Sequence, residues 1–190
     1  MPAGLHLEVR KDDVHTARVT ERPPEPLQKG EVQFAVEHFA LTANNITYGA
    51  LGERLGYWKL FPAENGWGQI PVWGYLRVLA SETDGVEVGS RAYGFCPPSS
   101  SVTISPVRLS PLGFIDAAPH RATLDIAYNS YSWLDADDAY EPALAKEMLV
   151  LRPLFWLSFM LDDLLAEEQL LDRTVLITSS SSKAAIGMTH

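Results

Sequence analysis

One cysteine, Cys96, stands in the 190-residue chain. No intrachain disulfide can form, which fits a reducing compartment. Cations are scarce as well: 15 Lys and Arg stand against 24 Asp and Glu, a formal net charge of −9. Without a Lys/Arg cluster, such a chain repels phosphate backbones and anionic lipid, which argues against nucleic acid and membrane as partners. No apolar run is long enough to span a bilayer. The most apolar stretch, Leu149 to Leu161, contains Arg152 and Pro153 and stops at Asp162-Asp163. The opening MPAGLHLEVRKDD lacks the apolar core of a signal peptide. The expectation is a soluble, cytoplasmic protein. The five histidines (His6, His15, His38, His120, His190) show no metal-ligand spacing. A G-x-S-x-G nucleophile elbow is absent, so a hydrolase would lack its serine. Asp135-Ala-Asp137-Asp138 has neither the glycine nor the spaced glutamate of a calcium loop and reads as solvated.

What is present is ordered along the chain. LHLEVR (Leu5–Arg10) alternates apolar and polar residues, and EVQFAVEHF (Glu31–Phe39) does so for longer, with Val32, Phe34 and Val36 on one face. YLRVLASE (Tyr75–Glu82), SRAYGF (Ser90–Phe95) and SVTISPVRLS (Ser101–Ser110) read as further strands between Gly, Pro and Ser clusters. Short strands with frequent turns predict a barrel or sandwich. After about Tyr140 the chain turns rich in Leu, Ala, Glu and Met, good helix formers. The pattern predicts a helix over Leu154–Leu171, with Pro153 in its first turn, where a missing N–H costs nothing. Its early part is apolar nearly all round, so burial on several sides is expected. Trp58, Trp67 and Trp73 bracket a Gly-rich stretch, either as core or as pocket wall. Cys96, before Pro97-Pro98, reads as a small buried residue.

The closing VLITSSSSKAAIGMTH (Val175–His190) reads as a buried strand, a polar turn and the start of a helix. Such an opening can cradle a phosphate on free helix N–H groups. It can equally be a serine N-cap. SSSSKAA is not a P-loop, because Ser182 precedes Lys183 where glycine is required and Ala184 replaces the Mg²⁺-holding hydroxyl residue.

Four stretches together resemble a known superfamily. GVEVGSRAYGF (Gly85–Phe95) resembles the v-x-x-G-D-R-V-x-g hairpin of the medium-chain dehydrogenases/reductases, with Ser90 where Asp is usual. IPVWGYLRVLAS (Ile70–Ser81) is similar to the P-x-x-P-G-x-E-x-x-G-x-V strand. ALTANNITYGALG (Ala40–Gly52) is similar to the v-N-P-x-D-x-x-x-r-x-G segment of the quinone-oxidoreductase branch. VLITSSSSKAAIG falls where V-L-V-x-G-A-x-G-G-V-G opens the cofactor domain. FALTANNITYG, RPLFWLSFMLDD and ITSSSSKAA are also similar to the DUF2855 branch.

The resemblance implies a mainly β fold with α: a GroES-like β-barrel over 1–140, a linking helix over 141–172 and the first βα unit of a truncated Rossmann domain over 173–190. It implies no catalytic zinc, since Asn44-Asn45 occupy the segment of a cysteine ligand and Tyr75-Leu76 replace the His-Glu pair after Gly74. In the zinc-free branch an Asn lines the nicotinamide pocket; Asn44 or Asn45 takes that place, and Thr47 replaces the acidic residue. A carbonyl that accepts hydride needs a neutral donor for its oxygen. Asn45 and Tyr48 are the first candidates, with Tyr57 and Lys59 behind them. The plainer reading of Asn44-Asn45 is a local turn or cap. For NADP(H), the implied contacts are Asn44, Thr178, Ser179, Ser180, Ser181, Ser182 and Lys183. Ser179, Ser182 and Ala185 stand where dinucleotide glycines would. Two functions remain open. The first is the N-terminal portion of a zinc-independent NADPH-dependent quinone or enone reductase, acting on a small carbonyl or quinone substrate. The second is a non-catalytic GroES-like binding or interaction module without a cofactor domain. Either a homo-oligomer or a missing C-terminal domain is expected to cover the apolar helix and the lone strand.

Overall fold

The computed structural model describes residues 3–23, 25–170, 173–179 and 181–189. Ser180, expected at the nucleotide turn, lies outside them. Two compact units form, Met1–Tyr140 and Glu141–His190.

The first unit is built on antiparallel strands. β1 (Gly4–Arg10) lies between β2 (Ala17–Arg22) and the short β4 (Trp67–Gly68) in a three-stranded sheet. The larger sheet also holds β3 (Val32–Ala40), β5 (Val72–Ser81), β6 (Arg91–Cys96), β7 (Ser101–Ile104), β8 (Pro106–Ser110), β9 (Gly113–Asp116) and β10 (Ser130–Trp133). Its order is β7-β3-β5-β6-β10-β9-β8. Short helices α1 (Ala43–Ala50), α2 (Gly52–Leu55) and α3 (Ile126–Asn129) and several 3-10 turns occupy the connections.

SVTISPVRLS is therefore not one strand. It divides at Ser105 into β7 and β8, and these are the two opposite edges of the seven-stranded sheet. One residue cannot cross a flat sheet of that width, so the sheet curls into a half-barrel. Ser105 is fixed at the junction: its N–H donates to Asp116 Oδ1 (3.2 Å) and its carbonyl accepts from Ala117 N–H (2.9 Å). Register shifts in β3 at Gln33/Phe34 and Val36/His38 add bend and twist in the same way as β-bulges. The β5–β6 connection turns at Gly89, whose φ of 96° favours glycine.

The strand periodicity is realised in the core. Val32 and Phe34 of β3 are fully buried with Val72, Leu76, Val78, Ala92, Cys96 and Ile104, and Val36 packs against the same cluster. Burying side chains of this size contributes about 1.5–3 kcal/mol each. Cys96 is fully buried, and burial pushes its thiol well above the ordinary range, so it is an inert filler. Tyr131 of β10 is the polar pin. Its ring stacks on Phe114 (4.9 Å) and its hydroxyl donates to the Phe95 carbonyl (2.6 Å). Gly94 and Gly113 lie directly against Tyr131, its ring and its backbone carbonyl respectively. A Cβ at Gly113 would strike backbone, which cannot swing aside. Gly113→Ala is expected to cost about 3 kcal/mol or more in urea unfolding, as a severe overpacking.

Glu8 of β1 is fully buried and ion-paired to Arg18 (2.6 Å) and to Arg22 of β2. Arg18 also covers the Trp67 ring at 4.1 Å. Burial alone would raise the Glu8 carboxyl, but hydrogen bonds and charge from the two arginines outweigh it and hold its pKa below the ordinary 4.5. The folded state thus binds this proton less tightly than the unfolded one. Its stabilisation is present above pH 4.5 and is lost as pH falls through the depressed value. Glu8→Gln should flatten that acid limb in Tm measurements across pH 3–6, an interval around the ordinary carboxylate range.

The second unit contains α4 (Ala145–Glu167) and α5 (Lys183–Met188). The helix expected over Leu154–Leu171 starts earlier, and Pro153 lies inside it rather than in its first turn. An internal proline removes one backbone bond at about 3 kcal/mol, so the preceding Ala-Lys-Glu-Met-Leu turns must supply enough helix propensity to continue through it. The expected burial on several sides is not found: Leu151, Phe155, Trp156, Leu157, Phe159, Met160 and Leu164 are 45–62% exposed. Nor do residues 175–178 form the expected strand. A strand needs a neighbour for its N–H and C=O groups, and among the described residues of this unit no second extended segment supplies one. Ser158 joins the two helices: its hydroxyl is within 2.7 Å of the Ala184 carbonyl and 3.1 Å of the Leu154 carbonyl. Ser158→Ala is expected to lower the stability of this unit by about 1 kcal/mol, read by helical CD melting.

Candidate functional site

The residues ALTANNITYGALG fold as α1 followed by α2. Thr42 is extended and caps α1, and Asn45 stands three residues on, in a capping-box arrangement. Asn45 Oδ1 accepts from Thr42 N–H (2.7 Å), and Asn45 Nδ2 donates to the Pro71 carbonyl (3.0 Å). The side chain is 4% exposed. Both ends of its amide are therefore committed to backbone, and Asn45 fixes α1 against the start of β5. Asn44, one residue earlier, and Thr47 are exposed.

Tyr48, on the next turn of α1, meets Tyr57 at 4.7 Å between ring centroids and Phe95 at 6.0 Å. Tyr57 begins the 3-10 turn Tyr57–Lys59, entered through Gly56. Its hydroxyl lies 2.9 Å from that of Tyr128, a residue of α3, and the two rings meet edge-on. Trp73 of β5 stacks on Tyr93 and packs edge-on to Phe95 at 4.1 Å. The chain thus brings together Tyr48, Tyr57, Tyr128, Trp73 and Phe95 from five separate elements. Lys59 is exposed at the end of its turn.

The phenols are held neutral. Burial raises the Tyr57 pKa most, and the hydrogen bond with Tyr128 and the nearness of Tyr128 and Tyr48 raise it further, well above 10. Burial also raises Tyr48, with Tyr128 adding to it, against a hydrogen bond with Trp73 that favours the phenolate. Two hydroxyls within hydrogen-bond distance, on an apolar floor, can donate one proton outward while relaying a second between them. Tyr128 carries no signal in its own neighbourhood of sequence; it reaches Tyr57 only because α3 follows β9 across the half-barrel.

Trp58 is buried core, pressed against Gly52 and Gly68. Trp67 receives Arg18 and Arg10. Among the described residues, no group of three His, Cys, Asp or Glu could hold a metal. No helix among them is long and apolar enough to cross a membrane.

In the second unit, Ser182 caps α5: its Oγ accepts from Ala185 N–H (3.1 Å), and its own N–H donates to the Ser179 carbonyl (3.0 Å). Thr178, Ser179, Ser181 and Lys183 are exposed around that turn. The serine N-cap is thus present in full, with three exposed hydroxyl groups and one exposed ammonium beside it.

No curated protein matches the chain. Residues 39–190 match the family described as protein of unknown function (DUF2855), a span that takes in the tyrosine cluster and the serine turn. By that match, over most of its length, the chain belongs to the DUF2855 family.

Proposed function

We propose that the chain is the N-terminal portion of a zinc-independent, NADPH-dependent reductase of quinones, enones or similar carbonyls. The observation that carries this reading is the Tyr57–Tyr128 hydroxyl pair, 2.9 Å apart, in which burial raises the Tyr57 pKa and holds that phenol protonated. A carbonyl oxygen that gains negative charge is stabilised by a preorganised neutral donor, and a phenol of raised pKa supplies one. Tyr57 holds the proton to be delivered, and Tyr128 orients it and replaces it. Tyr48 and Trp73, backed by the fully buried Phe95, form the apolar bed on which a planar substrate would lie. Asn45 is a positioning residue that sets the angle of α1 and hence of Tyr48.

For NADP(H), the exposed hydroxyls of Thr178, Ser179 and Ser181 and the Lys183 ammonium fit a diphosphate in chemistry. Ser182 fits through its free O–H while its oxygen serves the cap. Bound there, the nucleotide would supply hydride; the protein supplies the proton.

NADPH fluorescence is the direct test. A saturable change on titration with protein, abolished by Lys183→Glu, is expected. Unchanged fluorescence at saturating protein overturns the reading. Because the Tyr57 phenol ionises only well above 10, turnover should stay flat through pH 10 and fall only beyond it, as the donated proton is lost.

One observation favours a second reading, a non-catalytic interaction module: the run of exposed apolar side chains on α4. Light scattering separates the two readings, since an interaction module should be associated or partner-bound in solution even when NADPH has no effect.

A further inference from the structure

On the face of β3 opposite its core residues, Gln33 is buried although its neighbours toward the end of the strand are open to solvent. Gln33, between Val32 and Phe34, is only 6% exposed. Alternation turns its side chain away from the core cluster, and it lines a cleft of about 590 Å³. Residues of both sheets and of the 3-10 turn around Arg121 complete the lining, a volume in the range of small-molecule sites.

The cleft is polar, and its buried charges are paired with one another. Arg121 is ion-paired to Asp116 at 3.0 Å, and both are almost fully buried. Arg22, at the cleft, is paired to Glu8. Burial and the neighbouring Arg22 push the His6 imidazole below its ordinary range, against the smaller pull of Glu8, so it is neutral. Glu25, on the lining, makes no ion pair within 4.0 Å among the described residues and discourages an anion. What remains unmet is hydrogen bonding, not charge: among the described residues Arg121 Nη2 is buried with no hydrogen-bond partner, and the two glutamine amides of the lining are short of partners. The Gln33 side chain makes no hydrogen bond among the described residues, although a buried primary amide ordinarily makes several. Gln69 is 3% exposed, and among the described residues its side chain makes one hydrogen bond, a long contact to His6 Nδ1 at 3.4 Å. Leu60, Phe61, Leu79 and Val102 supply an apolar wall.

We propose that this cleft binds an uncharged small molecule that presents an amide edge on an apolar body, recognised by the side-chain amides of Gln33 and Gln69. Each glutamine offers a donor and an acceptor, so a carboxamide or lactam edge can satisfy both without bringing charge into a site where every buried charge is already matched. An anion would meet Glu25 and Asp116, and a cation would meet Arg22 and Arg121. The apolar wall then seats the remainder of the ligand. This site is separate from the Tyr57–Tyr128 pair. Leu60 and Phe61 belong to the same packed cluster as Tyr57 and Phe95, so occupancy of the cleft abuts the wall of the tyrosine site.

Three probes of nearly one shape and different charge decide the matter: benzamide, benzoate and benzamidine, each titrated into the whole chain by ligand-observed NMR. Benzamide should bind at least about tenfold more tightly than either charged analogue, a difference that unmatched charge alone can produce. Gln33→Leu should abolish benzamide binding, while the thermal midpoint shows the chain folded. Gln33→Glu gives a second reading that does not depend on that variant folding: its preference should pass from benzamide to benzamidine. Tighter binding of benzoate or benzamidine to the wild-type chain overturns the proposal. So does unchanged benzamide binding in a folded Gln33→Leu chain, an unaltered preference in Gln33→Glu, or no binding of any probe at concentrations where fragment-sized ligands ordinarily register.

Discussion

An Arg121→Leu variant is expected to lose about 3–5 kcal/mol of stability in urea unfolding, the cost of leaving one member of a buried ion pair alone. Arg121 is 1% exposed and Asp116 4%. The guanidinium joins three parts of the half-barrel. It pairs with Asp116 at the end of β9, donates from Nε to the Leu60 carbonyl (3.2 Å), and donates from Nη1 to the Tyr131 hydroxyl (3.1 Å). Its flat face lies over the Phe61 ring at 4.5 Å. Removing it leaves an almost fully buried carboxylate without its partner and takes one of two donors from the Leu60 carbonyl. Adding Asp116→Asn should recover part of the loss, because the amide keeps an oxygen for the Ser105 and Ala118 N–H groups and discards the charge. If the single variant unfolds at the wild-type urea midpoint, the pair is not a structural clamp. If the double variant is no better than the single, the lost guanidinium contacts, not the stranded charge, set the cost.

On the proposed reductase reading, Tyr57→Phe should lower carbonyl reduction by about 10²–10³-fold in kcat, the usual consequence of removing one preorganised donor to an oxyanion. The same change should cost little in stability, about 1 kcal/mol, because the ring keeps its contacts with Tyr48 and Tyr128 and only one hydrogen bond is lost. Tyr128→Phe removes the relay and not the donor, so a smaller fall is expected, with KM little changed. Equal losses in the two variants would make the hydroxyl pair a single structural unit. Wild-type turnover in Tyr57→Phe would remove the pair from the chemistry and leave Tyr48 as the nearer phenol to test.

Much of the half-barrel is legible from strand periodicity. LHLEVR and EVQFAVEHF alternate, and they form β1 and β3 almost residue for residue. The weak elements were not legible for a physical reason. β4 is two residues long, and β9 and β10 are four, too short for alternation to rise above noise. SVTISPVRLS reads as one run because Ser105 and Pro106 are compatible with extended backbone; what divides it is the closure of the sheet. Asn45 shows the same limit at the site. Its capping role was visible locally as one of two readings, and the commitment of its other end to the Pro71 carbonyl depends on where β5 begins. In the second unit the helix was legible and its N-terminus was not, since Pro153 marks a first turn in isolation and yet sits inside α4.

The sequence by itself determined that β1, β3, β5 and β6 are strands and which residue types fill the core, and it offered the serine cap of the closing turn as one of two readings. Those are consequences of local backbone preference and of the solvation of each side chain, and both act over a few residues. Only the tertiary structure decided that Tyr57 meets Tyr128 across 71 positions, that Gln33 turns a buried amide into a cleft, and that Asp116 and Arg121 neutralise each other out of water. Each of these depends on the path of the curled sheet. That path is set by which strands pair and by glycines such as Gly94 and Gly113 that allow Tyr131 to lie against the backbone. No local preference encodes it.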